Sequence, residues 1–199
     1  MTSAPDLDSP QAIGRWRQTE RARLLAQRLA MTNQQREMRS RAIVTHLNRL
    51  MRSLFPEPRG KTVGVYWPIK GEPQLLAWMR QLHGQGVMVA LPVVVQPGQA
   101  LEFSAWHPGA AMARGFWGIP VPAVMQAMQP DLLIAPMLGF DAQGYRLGYG
   151  GGYYDRTLAA LPKRPQVIGV ADQFAQLPTI HPLPHDIPMD HVVTDEGMR

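Results

Sequence analysis

The chain contains no cysteine among its 199 residues. That removes disulfides, thiolate metal sites and cysteine nucleophiles together. It also lacks any apolar run approaching the ~18 residues of a membrane span. The opening stretch MTSAPDLDSPQ is polar and acidic, unlike a secretory signal. These absences lead to the expectation of a cytoplasmic protein with a flexible segment over residues 1–10. Charge is scarce in one region and abundant in another. Residues 1–60 hold eleven Arg against five Asp and Glu, whereas residues 61–199 hold nine Lys and Arg against ten. The positive excess therefore belongs to the N-terminal segment, which favours anionic partners such as phosphates, carboxylates or nucleic acid. For any single arginine there, a solvated helix face is the alternative.

The length suits one α/β domain with a substantial core, and no linker or repeat interrupts it. Ser9 before Pro10 reads as a helix start, with the helix running to about Ala30. Thr32 with Gln35 resembles a capping box opening a second helix. Ile43, Leu47, Leu50 and Leu54 then recur at helical spacing, and Pro56, Pro58 and Gly60 end the pattern. After Lys61 the texture changes. TVGVYW reads as a strand. PQLLAWMRQLHG reads as a helix with Pro73 in its first turn and Gly84 after its end. VMVALPVVV and LEFSAW suggest a hairpin across PGQ. DLLIAP is a buried strand, YYDRTLAAL a short helix, and QVIGVA and HVVTD two further strands. Strands alternating with helices predict a mostly parallel sheet covered on both faces, a three-layer α/β/α sandwich.

The densest signal is RLGYGGGYYDR, Arg146 to Arg156. It lies between a buried strand and a helix, where ligands of open α/β sheets bind. Consecutive glycines let several N–H groups point at one anion, and the following helix presents its positive end. Arg146 adds charge, and Asp155 is placed to take a metal ion together with phosphate oxygens. The stretch looks built for a phosphate chain. A P-loop would need Gly-Lys-Ser/Thr after the glycines, and a G-x-G-x-x-G motif would need glycine at 153; Tyr153 fits neither. A tight turn with close helix–sheet packing is the alternative. His181, His185 and His191 lie among prolines and aspartates but fit no metal-binding spacing, and read as turn and surface residues.

RLGYGGGYYDRTL closely resembles the signature of the 5-formyltetrahydrofolate cyclo-ligase family, also called 5,10-methenyltetrahydrofolate synthetases. PMLGFDAQGYRLGYGGGYYDR, VGVYWPIKGEP, GFWGIPVP and LPHDIPMDHVVTDE extend the resemblance in order and spacing from about Arg15 to Glu196. The resemblance implies a fold related to ribose-phosphate isomerases and CoA transferases. It implies an ATP-dependent, ring-forming ligase that converts 5-formyltetrahydrofolate to 5,10-methenyltetrahydrofolate with ATP and Mg²⁺. Small-molecule partners follow from it, and the chain is expected to be a monomer without a membrane or nucleic-acid partner.

Residue by residue, the family's helical pair contacting ATP phosphates matches Arg17 and Arg21, with Arg standing where the family has Lys at 17. A spacing of four puts both on one helix face. Arg146, Leu147, Gly148, Tyr149, Gly150, Gly151, Gly152, Tyr153 and Asp155 match the ATP loop, with Asp155 as the Mg²⁺ ligand. Some relatives carry Lys or Arg at the places of Tyr149 and Gly151. Glu72 matches the acid that binds the reduced pterin, where a carboxylate accepts two parallel N–H bonds; a helix-start Glu is the alternative. Trp117 matches an aromatic packing on the folate. Tyr154 matches one near the formyl group, giving it, with Arg146, a catalytic place. Two other readings stay open: an ATP-binding paralogue acting on another small molecule, and a nucleic-acid-binding protein using the N-terminal arginines.

Overall fold

A computed structural model describes residues 9–199. The expected flexibility of residues 1–10 falls outside the described residues for 1–8, while Ser9 caps the first helix and Pro10 opens it. Ser9 caps α1 (Pro10–Leu29), its hydroxyl oxygen accepting from the Ala12 N–H at 3.1 Å. Thr32 and Gln35 form the reciprocal capping box of α2 (Asn33–Leu54). The strands are β1 (Thr62–Gly64), β2 (Met88–Val93), β3 (Glu102–Trp106), β6 (Leu132–Pro136), β9 (Gln166–Val170) and β10 (His191–Val193). They form one sheet in the order β10-β9-β6-β1-β2-β3. Every pairing is parallel except β2 with β3, the expected hairpin.

The core divides by sheet face. Ile43, Leu47 and Leu50 of α2 and Trp78, Met79 and Leu82 of α3 (Leu76–Gly84) pack against Val63, Val89, Leu132, Ile134 and Ile168. Leu158 of α4 (Tyr153–Ala160) packs on the other side with Leu133, Ala135 and Val167. The alternation of strand side chains thus covers both faces, as expected of a largely parallel sheet. Leu24 of α1 joins Leu138, Leu147, Ala175 and Ile180, beyond the carboxyl end of β6. Among the described residues no helix is long and apolar enough to cross a membrane.

Three details depart from the sequence reading. Pro73 does not open α3, which begins at Leu76. The Gln74 N–H is drawn to the Ser40 hydroxyl at 3.0 Å, and the Pro73 carbonyl accepts the Tyr66 hydroxyl at 3.0 Å, so residues 73–75 lead into the helix as a tethered turn. Gly84 is the last helical residue rather than the one after it. Two small ribbons went unread: β4 (Met112–Arg114) with β5 (Pro120–Pro122), and β7 (Gly139–Phe140) with β8 (Arg146–Leu147). Both have strands of only two or three residues, too short for a period-two pattern.

The chain moves outward from β1 through β2 to β3, then restarts beside β1 at β6 and moves the other way. The carboxyl ends of β1 and β6 therefore flank a topological switch point, the expected crevice of such a sheet.

Candidate functional site

Both loops leaving that switch point carry chemistry. After β1, Lys70 (φ 48°) and Gly71 (φ 73°) fold the chain so that the Glu72 N–H donates to the Ile69 carbonyl at 2.9 Å. The Glu72 carboxylate in turn accepts the Ile69 N–H at 2.9 Å. Glu72 sits on this turn, four residues before α3, so the helix-dipole alternative does not apply. It is 3% exposed. Burial pushes its carboxyl up to about 7, opposed by the Ile69 N–H, the Arg28 guanidinium, the Tyr149 hydroxyl and Lys70.

After β6, the β7–β8 hairpin delivers Arg146 and the glycine loop. Gly150 (φ 94°) and Gly152 (φ 63°) adopt left-handed backbone conformations that L side chains rarely take. Gly152 is also the N-cap of α4 and contributes no capping side chain. The first-turn N–H groups of α4 are thus available to an anion, at the positive end of the helix. Arg21 approaches from α1, its Nε–H donating to the Gly148 carbonyl at 2.7 Å. Burial and the neighbouring Arg17 both lower its pKa, and Asp186 opposes them.

Arg146 is 8% exposed. It pairs with the Asp155 carboxylate and lies 5.3 Å from the Tyr154 ring centroid, a cation–π contact. The other Asp155 oxygen accepts the Ile187 N–H at 3.1 Å. Burial, and to a lesser degree the charge of Glu72, raises the Tyr154 pKa, so its phenol stays protonated. Arg17 is nearly buried. It donates to the carbonyls of Ile180 (3.0 Å) and His181 (2.8 Å) and to Asp186 (2.6 Å). It is no solvated arginine: it pins the 180–187 loop against α1. Three acceptors in different directions suit a guanidinium fork better than an ammonium, which gives Arg rather than Lys a geometric reason at this position.

One cavity of about 860 Å³ unites these groups, within the range of small-molecule sites. Arg17, Arg21, Glu72, Trp117, Arg146, Gly148, Tyr149, Gly150, Gly151, Gly152, Tyr153, Tyr154 and Asp155 all line it. Leu147 does not: its side chain is fully buried with Leu24 and Leu138 in the core, and its carbonyl accepts the Leu138 N–H. Tyr149, assigned by resemblance to the nucleotide loop, faces the wall of Glu72. Its hydroxyl accepts from Arg28 at 3.3 Å, and the Lys70 ammonium lies 5.0 Å from its ring centroid. Trp117 has a left-handed backbone (φ 56°), is 67% exposed, and meets the Tyr153 ring edge-on at 5.4 Å.

Sequence reasoning missed Tyr66, Lys70 and Asp186 on the cavity wall and Arg28 behind it. Arg28 had a readable signal: with Arg17 and Leu24 it falls at spacings of seven and four, the buried stripe of α1. Among the described residues no group of three or more His, Asp or Glu is placed to hold a metal by itself. The histidines stay apart, with His181 edge-on to Trp16 and the His185 side chain 72% exposed.

Comparison with known proteins identifies the family. The model of the 5-formyltetrahydrofolate cyclo-ligase family matches residues 13–195. The 5-formyltetrahydrofolate cyclo-ligase of Mycolicibacterium smegmatis is 35% identical over 144 residues, covering 68% of this chain and 74% of the relative. That of Escherichia coli K12 is 31% identical over 175 residues, covering 84% and 93%. The NMR structure of Aquifex aeolicus 5,10-methenyltetrahydrofolate synthetase superposes with a TM-score of 0.77 at 28% identity, covering 92% of this chain and 91% of that one. By sequence and by fold, this chain belongs to the 5-formyltetrahydrofolate cyclo-ligase family.

Proposed function

We propose that this chain closes 5-formyltetrahydrofolate to 5,10-methenyltetrahydrofolate, with ATP consumed to ADP and phosphate. The observation that carries the reading is the single cavity. It places a buried carboxylate and an exposed aromatic, suited to a pterin and its attached ring, in one space with a glycine loop and arginines suited to a phosphate chain.

The formyl oxygen of an N-formyl group is a poor leaving group. Transfer of the terminal phosphoryl group of ATP to that oxygen leaves an iminium carbon bearing a phosphate. The N10 amine attacks this carbon, its proton is lost, and the carbon–oxygen bond breaks to release phosphate and leave the methenyl bridge. The protein's work is positioning and charge stabilisation. Glu72, ionised, accepts the two N–H bonds of the 2-amino-4-oxo edge of the pterin. Trp117 covers the ring system from the cavity mouth. Arg21, Arg146 and the N–H groups of Gly150 to Tyr153 receive phosphate oxygens, the arginines meeting the charge that spreads over them in transfer. Tyr154, held as a neutral phenol beside Arg146, is placed to donate a hydrogen bond near the formyl group. Arg17, on the cavity wall beside Arg21, adds positive charge there and fixes the 180–187 segment. The residues fit Mg²⁺ held mainly by phosphate oxygens, with Asp155 as the protein ligand: its carboxylate lines the cavity and keeps lone pairs beyond the two contacts already made. Bound there, the ion would neutralise phosphate charge.

The test is to mix protein, 5-formyltetrahydrofolate, ATP and Mg²⁺ and follow the methenyl chromophore together with ADP. The expected result is stoichiometric ADP and methenyl product. Product without nucleotide, or none from folded protein, would refute the reading.

A further inference from the structure

Arg28 is a fully buried cation that the chemistry above does not use. It lies on α1 but does not line the cavity; it sits behind the wall that holds Glu72. Its head is divided among three acceptors. The Nε–H donates to Asp172 at 3.1 Å, one terminal nitrogen to the Met137 carbonyl at 2.7 Å, and the other to the Tyr149 hydroxyl at 3.3 Å. Its stem packs beneath the turn that carries Glu72. A Cβ added at Gly71 would meet the Arg28 Cγ at 3.3 Å and Cδ at 3.7 Å. One side chain therefore touches the turn before Glu72, the loop after β6 and the phenol beside Glu72.

We propose that Arg28 is a positioning residue for the reduced-folate half of the site: it holds Tyr149 and the Lys70–Glu72 turn in register and keeps the Glu72 carboxylate in its binding form. The proposal rests on the folate reading above. The groups facing Glu72 are Arg28 from α1, Lys70 and the Ile69 N–H from its own turn, Tyr149 from the glycine loop, Tyr66 after β1 and Tyr154 from α4. Of these, Arg28 and Lys70 are the cations, and Lys70 is exposed. The buried charge of Arg28 is thus the one shielded from solvent screening. Asp172 does not cancel it alone, because Arg39 approaches the same carboxylate at 3.6 Å.

The experiment compares Arg28→Gln, Arg28→Lys, Asp172→Asn and Tyr149→Phe with wild type. Two quantities are read across pH 5.5–9: kcat/KM for 5-formyltetrahydrofolate with ATP saturating, and calorimetric binding of 5-formyltetrahydrofolate alone. Arg28→Gln should raise the folate KM about tenfold at pH 7 and move the pH midpoint upward by about one unit, with the KM for ATP changed less than about twofold. Arg28→Lys keeps the charge and should restore the midpoint but not the full affinity. Asp172→Asn keeps the Arg28 bond to Tyr149 and should leave folate affinity and midpoint near wild type. If Arg28→Gln does not fold, Tyr149→Phe reads the same link. Tyr149 is 38% exposed and only its hydroxyl is lost, while Arg28 keeps its bonds to Asp172 and Met137, so the fold is retained, and folate affinity should fall while the KM for ATP holds.

Equal losses for folate and ATP, or an Asp172→Asn effect as large as that of Arg28→Gln, would overturn the proposal in favour of a general structural role. So would unchanged folate affinity in both Arg28→Gln and Tyr149→Phe. Absence of methenyl product from wild type would refute the folate reading itself, a separate outcome.

Discussion

Replacing Glu72 with glutamine should weaken folate binding and stabilise the protein at the same time, and the stabilisation should depend on pH. The wild-type carboxyl is raised from 4.5 to about 7, burial being the main cause. Because the folded-state value lies above the ordinary one, folding favours the protonated acid. The stability this contributes is fully present below pH 4.5 and is lost as pH rises through 7. A shift of this size corresponds to about 3.4 kcal/mol in full. Of that, the part lost between pH 5 and pH 8 is about 2.5 kcal/mol. Glutamine has no charge to desolvate and escapes this loss. Its amide must still find acceptors, but that cost does not vary with pH. The Tm of Glu72→Gln minus that of wild type should therefore grow by roughly 5–10 °C between pH 5 and pH 8 for a chain of this size. Every other titrating group cancels in the difference. Folate affinity of the variant should fall by about 1–3 kcal/mol, since one acceptor becomes a donor. Thermal melts of both proteins at four pH values, with calorimetric titration of 5-formyltetrahydrofolate at pH 8, check both halves. A Tm difference that stays flat from pH 5 to pH 8 would refute the account of a desolvated acid.

Arg21→Ala should raise the KM for ATP by the equivalent of about 1.5–3 kcal/mol with little change in Tm, because Arg21 is half-buried and makes one protein hydrogen bond; steady-state kinetics and melting separate the two. Arg17→Ala should lower Tm as well, because two carbonyls lose their side-chain donor and Asp186 loses its ion-pair partner; a Tm equal to wild type would return Arg17 to a pure ligand-binding role. Trp117→Ala should raise the folate KM while leaving Tm within about a degree, since the exposed indole contributes little to the fold. Gly152→Ala should lose about 1–2 kcal/mol of stability by urea titration from its left-handed conformation, since the Arg156 guanidinium end, 2.8 Å from the new methyl, can swing aside.

The helices were legible because their signals are local. Ser9 and Thr32 cap where expected, and Ile43, Leu47 and Leu50 bury as their spacing implied. The glycine block was legible because left-handed backbone demands glycine. What the sequence could not convey is which partner each charge would meet. Arg17 and Asp186 stand 169 residues apart and make a 2.6 Å pair. No local rule separates an arginine aimed at a ligand from one aimed at a distant carbonyl. Leu147 shows the converse: adjacent to a true cavity residue, it turns into the core because alternate residues of a short strand face opposite ways. Pro73 misled because a proline compatible with a helix start is equally compatible with the turn before one.

The first helix to be made finds its polar partners late. Arg28 waits for Met137, 109 residues downstream, and then for Asp172, 144 residues downstream; Arg21 waits for Gly148, 127 residues downstream, and Arg17 for Ile180, 163 residues downstream. During synthesis at ordinary rates of about 5–20 residues per second, α1 therefore spends roughly 5–20 seconds with all three arginines uncommitted. The sheet can gather from β1 to β6 in that interval, but neither half of the cavity closes until the chain is nearly complete. A ribosome stalled before residue 172 would display strands and helices with no working site.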